Sequence, residues 1–189
     1  MPSRYWLVMS FALVGHAVAA AENPRTVAAQ MLKDDVLSYR NEAFPRVALW
    51  ELDKAGCILS NSWGSGQDGI VRTRIGLALL DTSRTSVEPV SHRVSWHACA
   101  DCYTVRLYAR DGQPAILTAR TRYDEEAVDW KSAKHHSSLG KDCTSYDLWR
   151  GEPNCLLFEY KNDAERLAKA LTSLSKRCRQ SNSVSKGKR

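Results

Sequence analysis

Two helical and several strand-like patterns of apolar positions run along this chain. Val27, Met31, Leu32, Val36 and Tyr39 recur at spacings of three and four, the signature of one helical face. Pro24 behind Asn23 opens that helix and Pro45 closes it. The same spacing returns near the other end, where Ala164, Leu167, Leu171, Leu174 and Cys178 share a face and Lys169 and Lys176 lie opposite. Asn162 with Glu165 three residues on predicts a capping box for this second helix. Between them the period drops to two. Strands are predicted from VALWELD at residue 47, CIL at 57, IVRTRIGLALL at 70, an arm at 115–121 and CLLFEY at 155. β-branching at Ile70, Val71, Thr73 and Ile75 decides strand over buried helix for the third of these.

The pattern centres on residues 90–110, VSHRVSWHACADCYTVRLYAR. It reads as a strand, a pinched turn at Ala100-Asp101 and a second strand in which Tyr103, Val105 and Leu107 face one way and Thr104 and Arg106 the other. Asp111-Gly112 is a hairpin signal that should return 115–121 as the neighbouring strand. NSWGSGQDG at 61–69 and KSAKHHSSLGK at 131–141 read as loops. RQSNSVSKGKR, from Arg179 on, has no apolar anchor and reads as a disordered basic tail.

This order predicts an α+β fold: an N-terminal helix, a bent antiparallel sheet or partly open barrel of about seven strands, and a C-terminal helix packed on it. Residues 21–45 form a helical arm that lies on the sheet or on a partner, and 46–178 the β-rich domain. The element order of 46–178, with the strand-to-helix ending CLLFEYKNDAERLAKALTSLSKRC, resembles the pleckstrin-homology-like superfold. That resemblance implies a binding or scaffolding module more than an enzyme, although a fold does not establish a function. The N-terminal helix and the cysteines depart from the usual pattern.

Composition changes the picture at the two ends. Arg4, the apolar run YWLVMSFALV, Gly15 and the small residues Ala17-Val18-Ala19 predict a secretory signal peptide over residues 1–20, hence a periplasmic or secreted protein. The run is too short to cross about 30 Å of hydrocarbon, and no later run is long enough, so no transmembrane segment is expected after cleavage. The net charge is +6, but residues from Lys176 onward carry +6 with no acid and residues 21–175 carry −1. The body is near neutral, so a global charge argument for nucleic acid is excluded. The tail could touch an anionic surface such as membrane lipid, or simply solvate the chain end.

Six cysteines follow the leader: Cys57, Cys99, Cys102, Cys143, Cys155 and Cys178. An even count in an exported chain reads as disulfides, whose connectivity sequence alone leaves open. Position favours Cys143–Cys155 around a turn-rich stretch, then Cys57–Cys178 between a strand and the core side of the last helix, then Cys99–Cys102 across the hairpin tip.

Candidate chemistry is sparse. Cys99-Ala100-Asp101-Cys102 could exchange disulfides, but a strand follows it where a helix N-terminus would be needed to lower the thiol pKa, and Asp101 would raise it. A zinc site using these cysteines with His97, or with His135 and His136, has only half of a four-ligand signature, and adjacent histidines diverge. Gly64-Ser65-Gly66 lacks the nucleophile-elbow pattern. No cofactor and no metal are expected. The aromatics remain. Trp50 and Trp96 read as core, whereas Trp63, Trp130 and Trp149, with Tyr146 and Arg150, sit in predicted loops and form a candidate recognition surface or a lid on the core. The reading is an exported non-catalytic binding or scaffolding protein of the cell envelope with an unidentified partner. The competing reading is a periplasmic enzyme, either a thiol–disulfide exchanger through Cys99 and Cys102 or a hydrolase with dispersed residues.

Overall fold

The computed structural model describes residues 22–34, 50–65, 69–90, 101–121, 128–140 and 155–186. The expected signal peptide and the expected helical continuation through Val36 and Tyr39 fall outside them, as do His92, Trp96, His97, Cys99, Cys143, Tyr146, Trp149 and Arg150.

The fold is α+β: the described residues form two α-helices and two antiparallel sheets, neither closed into a barrel. The first helix, α1, is Pro24–Asp34, and Asn23 caps it by accepting the Arg25 N–H on its side-chain oxygen at 3.1 Å. It lies against the sheet at the first strand, one of the two positions expected for the arm, and it also joins the core. Ala28, Met31 and Leu32 are buried in the common core, and α1 packs on the second helix and on the first strand.

Strands β1 (Trp50–Leu52), β2 (Ile58–Ser65), β3 (Gly69–Gly76), β6 (Ile116–Thr121) and β7 (Lys134–His136) form a five-stranded sheet in the order β1-β2-β3-β6-β7. Strands β4 (Ser86–Pro89), β5 (Tyr103–Tyr108) and β8 (Ser138–Leu139) form the other sheet, and β9 (Leu157–Phe158) also pairs with β5. A 3-10 turn, Leu77–Leu79, and the bridge Leu80↔Ala109 link the two. The described residues hold nine strands where about seven were expected.

Several expectations are corrected. Residues 61–65 belong to β2: pairing of Asn61 with Thr73 and Ser65 with Gly69 supplies what the local Gly, Ser and Asn content does not. The polar stretch after Trp130 is not a loop but carries β7 and β8. The arm paired with β5 is β4, with Pro89 opposite Tyr103 and the Val90 N–H bonded to the Cys102 carbonyl at 2.8 Å. The first arm expected for the hairpin, residues 91–98, and Ala100 of its expected tip lie outside the described residues. Asp111-Gly112 does turn, with Gly112 at φ 70°. It does not make a hairpin, because β5 and β6 enter different sheets.

The second helix, α2, is Lys161–Lys186. It starts one residue before Asn162, so Asn162 lies in its first turn and is not its cap; Lys161 pairs there with Glu165 at 3.2 Å. The predicted face is the buried one: Ala164, Leu167, Leu171, Leu174 and Cys178 all enter the core. Nor does the helix stop at Cys178. Arg179 donates to Thr82 Oγ1 at 3.0 Å and to Ser175 Oγ at 3.1 Å, and helix continues to Lys186, into the stretch expected to be disordered, whose last three residues lie outside the described ones.

Cys57 and Cys178 are disulfide-bonded. Cys102 and Cys155 are disulfide-bonded too. The register that sets Tyr103 opposite Phe158 places Cys155 opposite Arg106. Four residues along a strand separate that position from Cys102, about 13 Å and too far for one bond between them. Each therefore bonds a cysteine outside the described residues.

Candidate binding surface

The alternation IVRTRIG gives β3 two chemically different sides. Val71, Thr73 and Ile75 are buried, whereas Arg72 and Arg74 project to the outer face of the five-stranded sheet and are half-buried. Cross-strand register decides their neighbours, because directly paired residues share a face. Glu51, Ser60, Arg74, Leu117 and His135 form one row across the sheet, and Ser62, Arg72 and Ala119 the next. The face thus mixes cationic, hydroxyl and small apolar groups, with Glu51 at its far edge.

Trp130 is brought onto this face by the connection from β6 to β7. A turn fixes it: the Asp129 carboxylate accepts the Lys131 N–H at 2.9 Å, and the Asp129 carbonyl accepts the Ser132 hydroxyl at 3.2 Å. The Arg74 guanidinium lies over the Trp130 ring, 5.7 Å from its centroid. That stacking orients both side chains while leaving Trp130 partly in solvent. Of the loop aromatics named from sequence, Trp130 is therefore a half-buried surface group. Trp63 lies in β2, opposite Val71 in register. Tyr146, Trp149 and Arg150 lie outside the described residues. Trp50 is core, as expected, and its indole N–H donates to the Cys155 carbonyl at 3.3 Å.

Sequence reasoning missed Arg72 and Arg74, and it weighed His135 only as a metal ligand, not as part of this face. The signal for the arginines was present in the period-two spacing on either side of buried Thr73.

The inner side of the same sheet carries a polar row, Asn61, Thr73 and Thr118, all buried. His136 joins it: its Nε2 shares a 2.7 Å hydrogen bond with Thr118 Oγ1. His136 is thus a half-buried strand residue and not a solvated loop residue, while its neighbour His135 points to the opposite face and is exposed. Among the described residues, no group of three or more His, Cys, Asp or Glu side chains is arranged to hold a metal ion. Cys102 is fully buried as well as disulfide-bonded. Among the described residues no helix is long and apolar enough to cross a membrane.

Elsewhere, Asp81 accepts from the Ser83 hydroxyl at 2.6 Å and the Ser83 N–H at 3.1 Å. The Ser83 side-chain bond, with help from its backbone N–H and from Arg84 and Arg110, holds this carboxyl below the ordinary aspartate pKa. Arg84 stacks over Tyr108 at 4.3 Å, which fixes the cation beside that turn.

Comparison of the chain with protein-family models, with curated proteins and with solved structures gave no match.

Proposed function

We propose that this chain is an exported, non-catalytic binding or scaffolding protein of the cell envelope, with its partner site on the outer face of the five-stranded sheet around Trp130 and Arg74. The observation that carries the reading is the stacked Arg74–Trp130 pair, an aromatic and an arginine held together at the surface by an Asx turn. Aromatic and arginine side chains ordered in advance lose little freedom on binding, which is why they dominate binding hot spots. Export through the N-terminal leader and a pleckstrin-homology-like arrangement of the elements belong to the same proposal. Disulfide stapling supports it, since such bonds persist in oxidising compartments.

The exchange reading is disfavoured on a specific ground. Attack on a disulfide needs an accessible sulfur, and Cys102, fully buried, does not supply one; Cys99, the other half of the pair, lies outside the described residues. The test uses the mature protein as bait in an envelope extract, with captured proteins quantified for wild type, Trp130→Ala and Arg74→Gln. A partner retained by wild type and depleted in both variants is the expected result. Capture unchanged by either substitution overturns the surface named.

A further inference from the structure

A second surface, on the helical side of the molecule, stands apart from the Trp130 face. Where α1 crosses α2 an open trough of about 480 Å³ runs between them. Its floor is apolar, made by Pro24 and Val27 of α1 and by Ala170 of α2. Its rim on α2 is cationic: Arg166, Lys169 and Arg177 fall at spacings of three and eight along one side of the helix. Arg177, one residue before Cys178, belongs to this ordered stripe. Arg179 faces elsewhere, bound to Thr82 and Ser175.

We infer that this trough is a docking site for an acidic, extended peptide segment of a partner protein. Charge complementarity selects the occupant. Among the described residues the one acid lining the trough, Glu22, is already paired with Arg166 at 3.0 Å. Neither Lys169 nor Arg177 has an acidic partner among the described residues. The Glu22–Arg166 pair also shows the mode of recognition: a carboxylate delivered by the chain just ahead of a helix meets the α2 stripe.

Lys169 and Arg177 are eight residues apart on the helix, about 12 Å along its axis. An extended chain rises about 3.3 Å per residue, so carboxylates three or four residues apart span the two cations. An apolar side chain between them would reach the Pro24, Val27 and Ala170 floor. Ser173 lies midway; its hydroxyl donates to the Lys169 carbonyl at 3.0 Å, and its oxygen can still accept a peptide N–H. A bilayer surface is flat, whereas these cations line a concave channel between two helices, so lipid is the poorer fit.

The test is fluorescence anisotropy of the folded, disulfide-intact protein with a labelled peptide carrying two glutamates four residues apart around a leucine. The controls are the same peptide with both glutamates replaced by glutamine, and vesicles of phosphatidylglycerol. The glutamate peptide should bind more weakly as salt rises, and Lys169→Glu with Arg177→Glu should cost it about tenfold or more in affinity. Lys169→Gln with Arg177→Gln, a milder change at exposed positions, should show a smaller loss with an unchanged melting temperature. Trp130→Ala should bind the peptide like wild type, which separates this site from the sheet face. Equal binding of the glutamine peptide, or of the charge-reversed variant, overturns the inference. So does binding to the vesicles without binding to the peptide. Concentration-dependent self-association abolished by the charge reversal would assign the trough to a second copy of the chain and equally overturn it.

Discussion

Cys57 and Cys178 stand 121 positions apart in the chain and 5.7 Å apart at Cα, joined by a disulfide. Their bond ties the turn between β1 and β2 to the interior face of α2. The turn is built for the purpose. Asp53 accepts the Cys57 and Ile58 N–H groups on one carboxylate oxygen, at 2.6 and 2.9 Å, and Gly56 closes it at φ 72°. A Cβ at Gly56 would lie 3.5 Å from both Arg25 of α1 and Leu174 of α2. Both helices and the first hairpin therefore converge beside this one covalent link.

Removing the link should cost a large part of the stability. Closing a loop of this length restrains the unfolded chain by roughly 4–5 kcal/mol in the entropy model. Replacing Cys57 and Cys178 together with alanine should lower the urea midpoint accordingly. A loss under about 1 kcal/mol would show that burial alone holds α2 in place.

Two glycines should respond differently to the same substitution. Gly69 and Gly112 both have positive φ, 85° and 70°. An added Cβ at Gly69 would sit 2.4 Å from the Thr121 carbonyl oxygen, in the backbone of the paired strand, whereas at Gly112 it meets open space. Gly112→Ala should cost only the conformational term, about 1–2 kcal/mol. Gly69→Ala should cost clearly more, since β3 and β6 must separate to admit the methyl group. Thermal melts of the two variants decide it, and equal shifts would contradict the close approach.

Asp81 gives an acid-side dependence whose sign is set by its hydrogen bonds. The Ser83 hydroxyl bond, above all, lowers its pKa in the folded state. The stabilisation it brings is therefore fully present above the unfolded aspartate value and is lost as pH falls through the lower folded one. Asp81→Asn should shrink the stability gap to wild type only below about pH 4 and leave it constant near neutrality. A gap that changes between pH 6 and 8 would point to a different titrating group.

How much of this was legible in the sequence depended on whether local pattern or distant pairing decided the element. The buried face of α2 could be read from Ala164 to Cys178 because burial imposed the helical period, and Cys178 lying on it made Cys57–Cys178 one candidate pairing, ranked second, among connectivities the sequence left open. The two sides of β3 were equally visible. By contrast, Asn61 to Ser65 look like a loop until β3 pairs with them, and Lys134 to Leu139 are polar and held by β6 and β5. Gly112 supplied the turn but could not reveal that the strands beside it diverge into separate sheets. The trough was not legible because it needs α1 beside α2, and the helix beyond Cys178 was not legible because the basic stretch from Arg179 carries no apolar periodicity.

That last error identifies a test. Arg179 joins α2 to the loop after the 3-10 turn through Thr82 and also bonds the fully buried Ser175, whose carbonyl it reaches through Nε at 3.4 Å. Residues beyond it offer little apolar surface, so helix there depends on this anchor and on the nearby disulfide. Arg179→Ala should cost about 0.5–1.5 kcal/mol globally, the usual range for such hydrogen bonds. The larger effect should be local: amide hydrogen exchange in residues 180–186 should accelerate, while the turns around Leu167 stay protected. Arg179→Lys should restore little, because a single ammonium lacks the planar fork that reaches Thr82 and Ser175 together. Exchange at 180–186 that is already fast in wild type, and indifferent to the substitution, would mean that the helix ends at Cys178 in solution.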